Sequence, residues 1–128
     1  TAGCSYEAFL QLMKEDDALD AELTELGREQ ARSACASVKG GSAALRIDLV
    51  VSSPLSRALE TATLAFPDAT ARSFVCIEGL REHSGWLLNA KRSPRQTLIH
   101  RFPTCDFSNL ETETDETWTD QLEDEASV

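Results

Sequence analysis

Basic residues, aromatics, histidines and long apolar runs are all scarce in this chain. Its 12 Lys+Arg face 22 Asp+Glu, a formal net charge of −10. That balance argues against a free-standing nucleic-acid binder, which neutralises phosphates with Lys and Arg. No apolar run approaches the roughly 20 residues of a membrane-spanning helix, so we expect no membrane partner. The opening Thr-Ala-Gly-Cys-Ser-Tyr-Glu has neither the basic nor the apolar region of a secretory signal. The 4 cysteines, at positions 4, 35, 76 and 105, form no Cys-x-x-Cys pair, and 2 histidines add little ligand capacity. Disulfide frameworks and zinc sites announce themselves by close spacing. We therefore expect reduced thiols, some buried as small hydrophobes, no metal or other cofactor, and a cytoplasmic location.

What is present fits one globular domain: 128 residues, 41% hydrophobic and 27% charged. The first residue is Thr1 rather than Met, so a piece of a longer protein is expected. The negative charge is concentrated at one end. Residues 102–128 hold nine acids and no Lys or Arg, leaving the first 101 residues near neutrality. Phe107, Leu110, Trp118 and Leu122 punctuate this acidic segment, which we expect to pack, loosely, against the body. The stretch 81–101 is locally basic, with Arg81, Lys91, Arg92, Arg95 and Arg101 against Glu82. A basic, loop-like stretch in an acidic protein suits a small anionic ligand rather than a polyanion.

The elements follow from spacing. Ser5 to about Lys14 reads as a helix with Phe9, Leu10, Leu12 and Met13 on its apolar side, and Glu15 to Asp20 as a loop. A second helix starts after Thr24, a hydroxyl cap, and stops at Gly40-Gly41. Ile47 to Ser52 is a β-branched run of the kind that fills a buried parallel strand. Ser53-Pro54 then supplies a cap and a first-turn proline. Leu55, Ala58, Leu59, Ala62 and Phe66 keep helical spacing up to Pro67. A second strand is expected over 73–77. Helix, strand, helix, strand predicts an α/β sandwich of three layers around a mainly parallel sheet.

In such sheets ligands bind beyond the carboxyl ends of the strands. Two turns therefore matter, Ser52–Arg57 and Glu78–Gly85. At the first, helix amides and the positive dipole end form an anion site. Arg57 can grip the same anion with two hydrogen bonds, and Ser53 and Ser56 can add hydroxyls. The alternative is a surface pair between Arg57 and Glu60, weak at about 0.2–0.5 kcal/mol. At the second turn, Glu82 stands beside Arg81 and His83. A general acid must hold a proton near neutral pH, which burial or a neighbouring negative charge arranges; a bound phosphate is such a charge. The alternative is an exposed Glu in a charged loop.

Three ordered segments are similar to the histidine phosphatase superfamily, the phosphoglycerate-mutase-like proteins. They are Leu23-Thr24-Glu25-Leu26-Gly27-Arg28-Glu29-Gln30-Ala31, the stretch Val51-Ser52-Ser53-Pro54-Leu55-Ser56-Arg57-Ala58-Leu59-Glu60-Thr61-Ala62, and Leu80-Arg81-Glu82-His83-Ser84-Gly85. Lys91-Arg92-Ser93 and Phe102-Pro103-Thr104-Cys105-Asp106-Phe107 resemble a eukaryotic branch. The resemblance implies phosphomonoester chemistry through a phosphohistidine. A histidine in an Arg-His-Gly strand attacks phosphorus, arginines and a second histidine hold the oxygens, and a glutamate protonates the leaving alcohol. By this resemblance Arg57 stabilises phosphate and Glu82 is the general acid/base. Arg92 and His83 are its candidate substrate contacts, joined by Ser53 from the first turn, for a small phosphorylated substrate. Neither His83 nor His100 lies in Arg-His-Gly. The expectation is an incomplete α/β domain, inactive alone, whose nucleophile lies outside it. The competing readings are a non-catalytic pseudophosphatase and an acidic protein-interaction module, the latter with no phosphate binding.

Overall fold

A computed structural model describes residues 5–40, 46–82 and 85–121. The Ser5 hydroxyl accepts from the Ala8 amide at 3.2 Å and starts α1, Tyr6–Leu12. The apolar side expected for this helix stays largely open: Phe9 and Leu12 are exposed, and no residue of α1 is buried. Thr24 caps α2, Glu25–Gly40, by accepting from the Gly27 amide at 3.1 Å. The helix ends at Gly40, where glycine was expected to break it; Gly41 lies outside the described residues.

β1, Val50–Ser52, pairs in parallel with β2, Phe74–Cys76, in the register Val50 to Phe74 and Ser52 to Cys76. Between them runs α3, Ser56–Ala65, which packs along α2. Asp106 bridges the far side of β2, accepting from the Cys76 amide at 2.9 Å. Mixed helices and strands around a small parallel sheet make this an incomplete α/β fold. The expected strand over 47–52 is shorter than its apolar run, and Ile47, Leu49 and Val51 are exposed while Val50 and Ser52 are buried. A parallel strand is buried on both sides only where both faces are covered. Here Leu59 of α3 and Leu98 join Val50, Phe74 and Cys76 in the core on one side.

Phe66 ends α3 at φ −129° and ψ 64°, outside the helical region, before Pro67, whose ring disfavours helical backbone in the preceding residue. The basic stretch expected as loop contains a fourth helix, α4, Arg95–Arg101, directly after Pro94. Leu98 is its fully buried anchor. Seven residues with two terminal arginines leave little periodicity to read. No helix of the described residues is long and apolar enough to cross a membrane.

Cys35, Cys76 and Cys105 are free thiols. Burial pushes the Cys76 thiol up to about 12, aided by neighbouring Cys105. Burial likewise raises Cys105 to about 12. Both behave as small hydrophobes, since the thiolate is the reactive form.

The acidic segment is tied down over its described length. Phe102, Cys105, Phe107 and Leu110 enter the core. Asp115, its side chain 1% exposed, pairs with Arg81 Nη1 at 2.7 Å and accepts from the Arg92 and Trp118 amides at 3.0 and 2.9 Å. Leu122 and the last acids lie outside the described residues. Burial pushes the Asp115 carboxyl up, but the Arg81 hydrogen bond and the two amides outweigh it and hold it below the usual value. The unfolded chain therefore takes up this proton first, so the contribution is complete above about pH 4 and lost as pH falls through the folded value. Asp115→Asn should cost about 1–3 kcal/mol at pH 7. It should also make the acid decline in stability shallower between about pH 5 and pH 2, as read from urea unfolding across that range.

Candidate functional site

The site begins where β1 ends. Ser52 passes its carbonyl to the Ile77 amide at 2.9 Å, and the chain turns through Ser53, fully buried Pro54 and Leu55 into α3. Ser53 and Pro54 were expected to cap the helix and open its first turn. Instead α3 starts at Ser56 with Leu55 at the cap position, and no cap comes from that side chain. Ser53 accepts from the Leu55 amide at 3.3 Å and donates across the sheet end to Glu82 Oε2 at 3.2 Å.

The cap comes from Asp20, 36 residues upstream of Ser56. Its Oδ1 accepts from the Ser56 amide at 2.7 Å, and its Oδ2 from the Ser56 hydroxyl at 2.5 Å. The Ser93 amide and hydroxyl also donate to Oδ2, at 3.0 and 2.6 Å. Asp20 is 2% exposed and sits at φ +48°, a left-handed conformation that Asp tolerates better than most residues. Ser56 is fully buried and accepts from Arg101 Nη1 at 2.9 Å, so its hydroxyl is spent on the scaffold rather than on a ligand. Arg101 continues to Glu22 at 2.8 Å.

One residue into α3, Arg57 donates Nη1 to the Asn89 carbonyl at 2.7 Å and brings Nη2 to 3.9 Å from Glu82 Oε1. The Arg57–Glu60 pair does not form. Glu60 is taken by Arg28 and the Leu23 amide, which lock α2 against α3. Arg57, Ser53 and Glu82 thus meet at one open cavity of about 620 Å³, whose walls include Val51, Leu80 and Phe66. The guanidinium side chain is 30% exposed and the Glu82 side chain 50%. One arm of the Arg57 fork is anchored, and the rest faces a half-solvated carboxylate at a distance too long for a direct hydrogen bond.

Arg92, expected at the substrate, is elsewhere. Its side chain is 1% exposed, with Nε on Glu78 at 3.2 Å. Nη1 donates to the Ser93 and Glu113 carbonyls and Nη2 to Thr112 and Thr114. Every guanidinium donor has an internal acceptor, so Arg92 braces the 112–115 segment and has nothing left for a ligand in this arrangement. His83 lies outside the described residues. Among the described residues, no group of three or more His, Cys, Asp or Glu is arranged to hold a metal ion.

The model of the histidine phosphatase superfamily (branch 1) matches residues 14–117, most of the chain and both turns. The chain belongs to the histidine phosphatase superfamily. It is 30% identical over 141 residues to "Phosphoglycerate mutase-like protein 1" of Arabidopsis thaliana, covering 89% of this chain and 49% of that relative. The chain thus spans about half the length of the curated relative it matches. No solved structure matches it.

Within this superfamily member, Asp20 is the residue that sequence reasoning missed, hidden in an acidic stretch read as plain loop. Asp20→Ala would strand two buried amides and two buried hydroxyls. We expect it to destabilise the chain by about 3 kcal/mol or more, measured by urea unfolding, with Asp20→Asn retaining part of the loss.

Proposed function

We propose that this chain supplies the phosphate grip and the general acid of a phosphomonoester-processing site working through a phosphohistidine. The observation that carries the reading is the meeting of Arg57, Ser53 and Glu82, from two separate strand-end turns, on one cavity. Arg57 takes two phosphoryl oxygens, its fork held steady by the Asn89 carbonyl. A phosphate held there sets negative charge beside Glu82, the condition under which a carboxyl keeps a proton. As a histidine nitrogen bonds to phosphorus, the ester oxygen leaves and takes that proton from Glu82. The resulting carboxylate then takes a proton from the water that attacks the phosphohistidine, and inorganic phosphate is released. Ser53 orients the carboxyl through Oε2.

The nucleophile stands outside these 128 residues in this reading, since neither His83 nor His100 sits in Arg-His-Gly. Hydrolysis is the broader assignment, because a mutase needs further features to retain and reposition its substrate. The substrate is a small phosphorylated molecule. Widely spaced free thiols, of which Cys76 and Cys105 are buried, suit the cytoplasm.

Thermal unfolding with orthovanadate or inorganic phosphate tests the grip. Either anion should raise the midpoint, and Arg57→Ala should weaken binding about ten- to a hundred-fold, the loss of charge-assisted hydrogen bonds. An undiminished shift in Arg57→Ala rejects the proposal. The chain alone should leave 4-nitrophenyl phosphate intact; turnover abolished by Arg57→Ala would move the nucleophile back inside it.

A further inference from the structure

A second cavity, of about 750 Å³, opens between the end of α1 and the 118–121 segment, lined by Lys14, Trp86, Leu88, Trp118, Asp120 and Gln121. It shares no lining residue with the Arg57 cavity. Both tryptophans of the sequence are in its wall. Neither indole is simply core. Trp86 is 38% exposed, and the Trp118 indole N–H is fastened to the Leu87 carbonyl at 3.0 Å. Lys91 lies over the Trp118 ring at 5.0 Å, which steadies it further.

The backbone goes out of its way to put Trp86 there. Gly85 at φ +90° and Trp86 at φ +67° are both left-handed, a costly conformation for a bulky side chain. A Cβ at Gly85 would stand 2.0 Å from the Gln121 carbonyl, so the 119–121 segment leaves room only for glycine. The Trp86 amide donates to the Thr119 carbonyl at 3.1 Å, tying the strained turn to that segment. The result is two aromatic faces and Leu88 around a cavity of ligand size, with two opposite charges at its wall. Lys14 has no ion-pair partner among the described residues. Asp120 accepts from the Gln121 side-chain amide at 3.4 Å, and its other oxygen has no hydrogen-bond partner among the described residues.

We propose that this cavity is a second binding site for a flat aromatic acid carrying a ring hydroxyl or amine. The indoles and Leu88 take the ring, Lys14 the acid group, and Asp120 the ring donor. The site also adjoins the grip on phosphate through one short segment. Trp86 and Leu88 line it, and the next residue, Asn89, holds Arg57.

Because the chain has only these two tryptophans, two indole N–H signals in the NMR spectrum of the 15N-labelled chain report the cavity directly. Titration with 4-hydroxybenzoate should shift both signals saturably. Phenol, benzoate and 4-hydroxycyclohexanecarboxylate, which lack the acid, the donor and the flat ring respectively, should bind more weakly. Lys14→Ala should weaken 4-hydroxybenzoate binding by up to about five-fold, with Lys14→Arg restoring it. Trp86→Ala should weaken it about three- to ten-fold. Lys14 is exposed at the end of α1, so its variants decide the matter even where Trp86→Ala does not fold. Absence of saturable shifts, equal binding of the three analogues, or indifference to Lys14→Ala overturns the proposal. Saturable indole shifts with inorganic phosphate would overturn its separateness from the Arg57 cavity.

Discussion

A single buried carboxylate gathers the working parts of this chain. Asp20 is sealed from water, and a charge so placed is costly unless donors surround it. Two amides and two hydroxyls do so, from Ser56 at the start of α3 and Ser93 just before α4. The loop after α1 and the starts of two helices are thereby held to one point. Since Arg57 is the next residue after Ser56, its direction is set by where Asp20 holds the helix end. A carboxylate at a helix N-terminus also matches the dipole there.

The arginines divide according to what their donors have left to give. Arg92 spends its whole fork on Glu78 and on carbonyls of the 112–114 segment. Arg81 pairs with Glu78 and with buried Asp115. Arg28 and Arg101 lock α2, α3 and the Glu22 loop. Arg57 has one firm internal bond and a long contact to Glu82, at the edge of an open cavity. Charge type is the same throughout; ligand capacity comes from unspent donors in reach of solvent. This is why the basic stretch 81–101, suggestive as a block of charge, contributes mainly scaffold.

The two turns at the ends of β1 and β2 both lie inside the stretch that matches the superfamily. The structure draws their side chains to a common cavity. Val51 in the middle of β1 and Leu80 after β2 leave apolar surface in that cavity's wall, beside the polar trio.

Features written in a few neighbouring residues were legible from the sequence alone. Thr24 before α2, the Leu55–Leu59 stripe of α3, Pro67 after it and the β-branched centres of both strands act over one or two turns of chain. They determined the α/β succession and the two candidate turns. The tertiary structure alone decided the rest. It exposed Ile47 and Leu49, which a fully covered sheet would have buried, and made a helix of the short stretch after Pro94. It buried Arg92, spent Ser56, and chose Asp20 over the neighbouring acids as the helix cap. Local pattern states which backbone conformation a segment prefers. Which acid meets which serine across 36 or 73 residues depends on where chain closure brings them, and that geometry has no local signature.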